Sequence, residues 1–313
     1  MGWPLVARAQ QSAMPVIGLL TSRGASDSPQ LVAAVLQGLK DTGFVEGQNV
    51  VIEYRFAGNQ KEPLSVLAAD LVRRQVNVIV ATTTPAALAA KAATTTIPNV
   101  FEAGFDPVQL GLVASLNRPG GNVTGITQLN QAIAPKRLEF LHEVVPTARV
   151  IARLSNPANW ASADAQSSGM LTAAHTLGLE LRVLNASTEG DLDGVFASLI
   201  ALRAAGLVID SDSFFTAQQE RLAALAVRHA VPAIYETREF VSAGGLLSYG
   251  GSLTDAYRLA GVYAARALKG EKPADLPVQQ STKVEMFLNL KSAKALGITV
   301  PLPLLGRADE VIE

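Results

Sequence analysis

No cysteine occurs among the 313 residues, which excludes zinc fingers, iron–sulfur clusters, thiol nucleophiles and disulfides together. Histidine is almost as scarce. His142, His175 and His229 fall in segments of helical periodicity, and none has a second ligand at i+3 or i+4, so no metal site is expected. Charged residues make up only 17%, with 26 Lys plus Arg against 27 Asp plus Glu, and that balance leaves no basic footprint for nucleic acid or anionic lipid. No run of about 18 apolar residues is present, so nothing is expected to span a membrane. Phosphate- and nucleotide-binding loops are missing as well. Residues 245–252 (GLLSYGGS) have the glycine spacing of a Walker A loop but carry Gly251 where its lysine belongs. Ser248 has Leu246 where a nucleophile elbow needs its first glycine. The first apolar run ends in LLTSRG (19–24) in place of a GxGxxG, which disfavours a Rossmann cofactor; no cofactor is expected.

What is present describes an ordered chain: 49% hydrophobic residues, with 25 Gly and 16 Pro spread along it. A length of 313 residues favours two domains with separate cores. Residues 3–13 (WPLVARAQQSA) read as the end of a secretory signal, an apolar piece followed by Ala7-Arg8-Ala9, a small-x-small site with cleavage after Ala9. Residues 1–13 are therefore set apart as a leader remnant.

From residue 15 the hydrophobic period alternates. Residues 15–20 (PVIGLL) form a short, β-branched run typical of a buried parallel strand. Residues 29–42 then place Leu31, Val32, Val35, Leu36 and Leu39 on one helical face, closed by Gly43. Strands at 49–56, 76–81 and 98–102 and helices at 63–74 and 85–93 continue the pattern, which restarts after 123–127. Helices at 136–145, 161–177, 192–204 and 217–229 then alternate with strands at 150–155, 180–186, 207–210 and 232–237. Such alternation predicts an α/β fold of two doubly wound parallel-sheet lobes joined by hinge crossovers near Gly125 and residues 247–250. The helix at 257–268 is expected to return to the first lobe. The lobes are assigned to 14–125 plus 251–278 and to 126–250 plus 279–313.

Open α/β sheets bind ligands at the carboxyl ends of their strands. There the first lobe offers Thr21 and Ser22, the Thr83-Thr84-Pro85 helix start, and Asp106 before Pro107. The second offers Asn156, Asp210 and Asp212 with Phe214 close behind, Tyr235-Glu236, and Tyr249. A threonine cap before Pro85 leaves free N–H groups suited to a carboxylate, although a plain helix cap reads the same. Acidic groups facing a cleft would pair with an ammonium group, and Phe214, Tyr235 or Tyr249 would add apolar or cation–π contact. An amino acid meets both demands. Two cleft carboxylates also fit a general acid/base pair, so an α/β enzyme using Asp106, Asp210 or Glu236 is the alternative from another class.

The segments 38–57 (GLKDTGFVEGQNVVIEYRFA), 82–101 (TTTPAALAAKAATTTIPNVF), 112–127 (LVASLNRPGGNVTGIT), 228–280 and 289–313 resemble the ABC transporter substrate-binding protein family related to tryptophan-binding lipoproteins. The resemblance implies a type I periplasmic binding protein: two α/β lobes, three crossovers and a small ligand enclosed by hinge closure. It also implies a periplasmic location, a membrane permease as partner, aromatic amino acids as the ligand class and no enzymatic activity. Relatives carry Asp-Pro where this chain has Asp212-Ser213, and a further Asn-Pro where it has Asn159-Trp160, so the resemblance specifies the fold more closely than the ligand. Lipid-anchored relatives need an N-terminal cysteine; this chain has none and is expected to be free in the periplasm. The same lobes occur as effector domains of transcription regulators, but those need a helix-turn-helix before residue 15, where only 14 residues stand.

Overall fold

The computed structural model describes residues 14–26, 29–58, 63–104, 106–128, 130 and 132–313. The leader expected at 1–13 lies outside the described residues. In chain order the strands are β1 (Val16–Thr21), β2 (Val51–Phe56), β3 (Val78–Ala81), β4 (Asn99–Ala103), β5 (Val123–Gln128), β6 (Val150–Ser155) and β7 (Glu180–Asn185). They continue with β8 (Leu207–Ile209), β9 (Ala233–Tyr235), β10 (Leu247–Gly251), β11 (Gln279–Ser281), β12 (Val284–Asn289) and β13 (Glu310–Ile312). Two sheets result, ordered β11-β5-β4-β3-β1-β2 and β13-β12-β10-β9-β8-β6-β7.

Each sheet is doubly wound. In the first, Leu31, Val35 and Leu39 of helix Pro29–Asp41 pack with Ala256, Tyr257 and Ala260 of helix Leu253–Leu268 on one face. Leu67 and Leu71 of helix Leu64–Arg73 and Ala86 and Ala90 of helix Thr84–Ala93 cover the other. Burial on both faces explains why β1 and β3 are apolar almost throughout, without alternation. The helices at Pro29–Asp41 and Leu253–Leu268 approach so closely that only glycine fits: a Cβ on Gly38 would lie 1.9 Å from the Arg258 carbonyl oxygen, and one on Gly261 2.1 Å from that of Val35. Backbone contact of this kind locks the late helix onto the first lobe, as its apolar period anticipates. The second sheet is covered likewise, by the cluster around Leu138, Leu141 and Met170 on one face and that around Phe196, Phe215 and Leu222 on the other.

The chain passes between the sheets three times, after β5, after β10 and after β11. Two of these passages come later than the sequence implies. β5 stays in the first sheet to Gln128, beyond the boundary expected at 125. Gln279–Ser281, assigned to the second lobe, instead adds to the first as an edge strand parallel to β5. Three exposed or polar residues (QQS) give no periodicity from which to read a sheet partner. One pairing breaks the parallel rule: β12 runs antiparallel to β10, because the third passage brings the chain back from the opposite lobe. The helix expected at 217–229 is Gln219–Arg228, and a short helix, Ser213–Ala217, that the periodicity did not indicate precedes it across Gln218.

Candidate functional site

The carboxyl ends of β1, β3, β4 and β5 face those of β8 and β9 across a cavity with about 480 Å³ of atom-free space, part of it open to solvent. The first lobe lines it with Arg23, Thr83, Thr84, Pro85, Glu102 and Gly104. The second contributes Ser211, Asp212, Thr216, Glu236 and Thr237, and the crossovers supply Gln128, Asn130 and Leu253.

Four of the expected site residues meet here: Thr83, Thr84, Asp212 and Glu236. Thr83 caps helix Thr84–Ala93, its hydroxyl accepting from the Ala86 amide at 3.4 Å. Two others act one layer behind. The Ser22 amide and hydroxyl donate to Thr83 Oγ1 at 3.3 and 3.0 Å, and Asn156 Nδ2 donates to Asp212 Oδ1 at 3.1 Å. Asp212 Oδ1 also accepts from the Phe214 amide at 2.8 Å, which fixes the carboxylate at the start of its helix.

The remaining expectations are corrected by packing. Asp210 faces away from the cavity into a bidentate pair with Arg153, Nε to Oδ1 at 2.8 Å and Nη2 to Oδ2 at 2.7 Å. Tyr235 precedes Glu236 on adjoining backbone, so the two point to opposite faces; its ring is fully buried against Phe240 with centroids 4.6 Å apart. Phe214 packs on Phe215 in the second lobe's core, and Tyr249 meets Phe140 edge-on at 4.7 Å. Asp106 caps its own turn, accepting from the Val108 and Gln109 amides at 2.8 and 3.3 Å. Thr21 is buried and accepts from the Arg23 amide at 3.3 Å.

Sequence reasoning missed a hydrogen-bonded chain that crosses between the lobes. Gln128 Nε2 donates to Glu102 Oε1 at 2.9 Å, Asn130 Nδ2 donates to Gln128 Oε1 at 2.8 Å and to Glu236 Oε2 at 3.3 Å, and Thr216 Oγ1 donates to Glu236 Oε1 at 3.4 Å. Behind it Arg137 donates to the Asn130 carbonyl at 3.1 Å and the Ser211 hydroxyl at 3.3 Å. A signal for Glu102 was available: it is the one charge in the buried strand NVFEA. Gln128 and Asn130 have no such mark.

The electrostatics follow from burial. Glu102 is pushed up to about 8 by desolvation, with Arg23 opposing and Glu236 adding to the rise. Desolvation likewise raises Glu236, against the pull of Arg137. The arrangement offers acceptors and anions on the second lobe opposite hydroxyls and a helix N-terminus on the first. Among the described residues no group of three or more His, Asp or Glu could hold a metal ion.

Paired doubly wound sheets with a polar cavity at the facing strand ends define a two-lobed α/β binding protein. The chain belongs to the ABC transporter substrate binding protein family, whose sequence profile matches residues 26–312. It is 28% identical over 261 residues to a tyrosine-binding protein of Clostridioides difficile strain R20291, covering 83% of this chain and 74% of the relative. Among solved structures it resembles an ABC domain in complex with L-Trp from Streptococcus pneumonia, with TM-score 0.87, 23% identity and coverage of 96% and 100%. It also resembles a conserved domain protein from Vibrio cholerae, with TM-score 0.85, 26% identity and the same coverage. This is a family of solute-binding proteins and not of enzymes. Among the described residues no helix is long and apolar enough to cross a membrane.

Proposed function

We propose that the chain captures a free amino acid, with an aromatic side chain favoured, between its lobes and presents it to the membrane permease of an ABC importer without turning it over. The observation that carries this reading is the opposition of Asp212 and Glu236 on one wall to Thr83, Thr84 and the N-terminus of helix Thr84–Ala93 on the other. Acidic groups suit an ammonium; hydroxyls and the positive dipole end of a helix suit a carboxylate. The tyrosine-binding relative and the L-Trp-bound neighbour support the same ligand class. Short passages between the sheets act as hinges, and ligand bridging both walls shifts an open–closed equilibrium toward closure. The lobes are taken as 14–128 with 253–281 and 132–251 with 284–313. The protein works in the periplasm, exported by a leader whose end is read at residues 3–13.

Native mass spectrometry of purified protein, followed by denaturation and identification of released molecules, tests the reading. Release of an amino acid supports it. An empty protein whose melting temperature ignores a full amino-acid panel but responds to sugars or nucleosides overturns it.

A further inference from the structure

Arg23 is an unusual wall for this cavity. It is 9% exposed, its Nε is buried without a hydrogen-bond partner, and among the described residues no carboxylate lies within ion-pair distance of it. Its backbone is fixed on both sides: the amide donates to Thr21 Oγ1 at 3.3 Å and the carbonyl accepts from the Gly58 amide at 3.1 Å. Tyr257 neighbours the guanidinium, and its own hydroxyl donates to the Thr82 carbonyl at 2.6 Å. A desolvated guanidinium with an unused donor is costly unless something supplies an acceptor. The space in front of it is the cavity, shared with Thr83, Thr84 and the N-terminus of the ten-residue helix Thr84–Ala93.

Glu102 is the nearest alternative counter-ion. It is already engaged by Gln128 at 2.9 Å, and burial favours its neutral form. The other buried arginine nearby, Arg137, also has an unpartnered Nε, but it does not line the cavity and its Nη groups are engaged by the Asn130 and Tyr249 carbonyls and the Ser211 hydroxyl. The guanidinium of the cavity wall therefore belongs to the first lobe, at Arg23, and the carboxyl groups that face it across the cavity, Asp212 and Glu236, to the second.

We propose that Arg23 anchors the ligand's carboxylate together with Thr83 and Thr84, so that a bound zwitterion lies with its negative end on the first lobe and its ammonium on Asp212 and Glu236 of the second. The proposal rests on the amino-acid reading above and adds the residue that discriminates amino acids from amines. Closure then brings opposite charges onto opposite ends of one ligand, which ties selectivity for a free carboxylate to the closed state.

Calorimetric titration of L-tryptophan, L-tyrosine, tryptamine and tyramine into wild type and Arg23→Gln tests it. The wild type is expected to bind an amino acid at least about tenfold tighter than the matching amine, since a charge-assisted bond is lost with the carboxylate. Arg23→Gln is expected to weaken the amino acid by about tenfold or more and leave the amine within about threefold, or tighter. Arg23→Lys, which keeps charge but not the fork, falls between and serves if the glutamine variant does not fold. Equal loss of amino acid and amine assigns Arg23 a structural role and overturns the proposal, as does unchanged amino-acid affinity; in both cases the amino-acid reading stands. A wild type that binds none of the four, nor any other amino acid, removes that reading and the proposal with it.

Discussion

Asn130 Oδ1 accepts a hydrogen bond from the Gly251 amide at 2.8 Å, joining the first passage between the lobes to the second. The contact needs glycine on the second passage, because a Cβ on neighbouring Gly250 would lie 1.8 Å from the Glu236 carbonyl oxygen and 3.3 Å from Asn130 Oδ1. Through its Nδ2 the same side chain reaches Gln128 and Glu236, so one buried amide links both hinge passages to the cleft.

Asn130→Ala strands the buried Gly251 amide and the Gln128 side-chain Oε1. Unfolding free energy is expected to fall by about 1–3 kcal/mol, the cost of unsatisfied buried polar groups. Chemical denaturation measures it, and a change under about 0.5 kcal/mol, the size of a neutral surface substitution, contradicts the assigned role.

Asp210→Asn separates stability from binding. Arg153 and Asp210 are almost wholly buried, and removing one charge leaves the other uncompensated, at a cost of about 3–5 kcal/mol. Because the pair lies off the cavity wall, the folded fraction is expected to keep its ligand affinity. A tenfold loss of affinity with unchanged stability would return Asp210 to the site.

Glu102 gives the fold a pH slope of defined sign. Its carboxyl is held at about 8 in the folded protein against an ordinary 4.5, so between those values the native state keeps a proton that the unfolded chain releases. Stability is therefore full below about 4.5 and falls as pH rises through about 8. Glu102→Gln is expected to show a shallower decline of melting temperature over that interval, the residual slope coming from Glu236. Parallel curves for the two proteins would contradict the burial argument.

Lobe architecture was legible because parallel strands buried on both faces leave unbroken apolar runs, as in VIGLL and VIVA, and because Pro29 and Pro85 mark helix starts. Cavity-lining residues were most legible where a strand end coincided with a capping residue, as at Thr83 and Asp212. Direction was not: Tyr235 and Glu236 are adjacent in sequence, yet one enters the core and the other the cleft, and nothing local tells which. Asp210 was lost to the cleft because its partner, Arg153, lies 57 residues away on the neighbouring strand β6. Arg23, Gln128 and Asn130 belong to the cavity through tertiary placement alone.

The most direct test of the central claim is calorimetric titration of L-tyrosine and L-tryptophan into wild type and into the Asp212→Asn/Glu236→Gln double variant, with folding checked by circular dichroism. The account predicts saturable one-to-one binding of at least one of them by wild type, and loss by at least about tenfold in the folded variant as the ammonium loses its charged partners. Equal affinity in the two proteins would contradict it, because the ligand would then be held somewhere other than between Glu236 and the facing lobe.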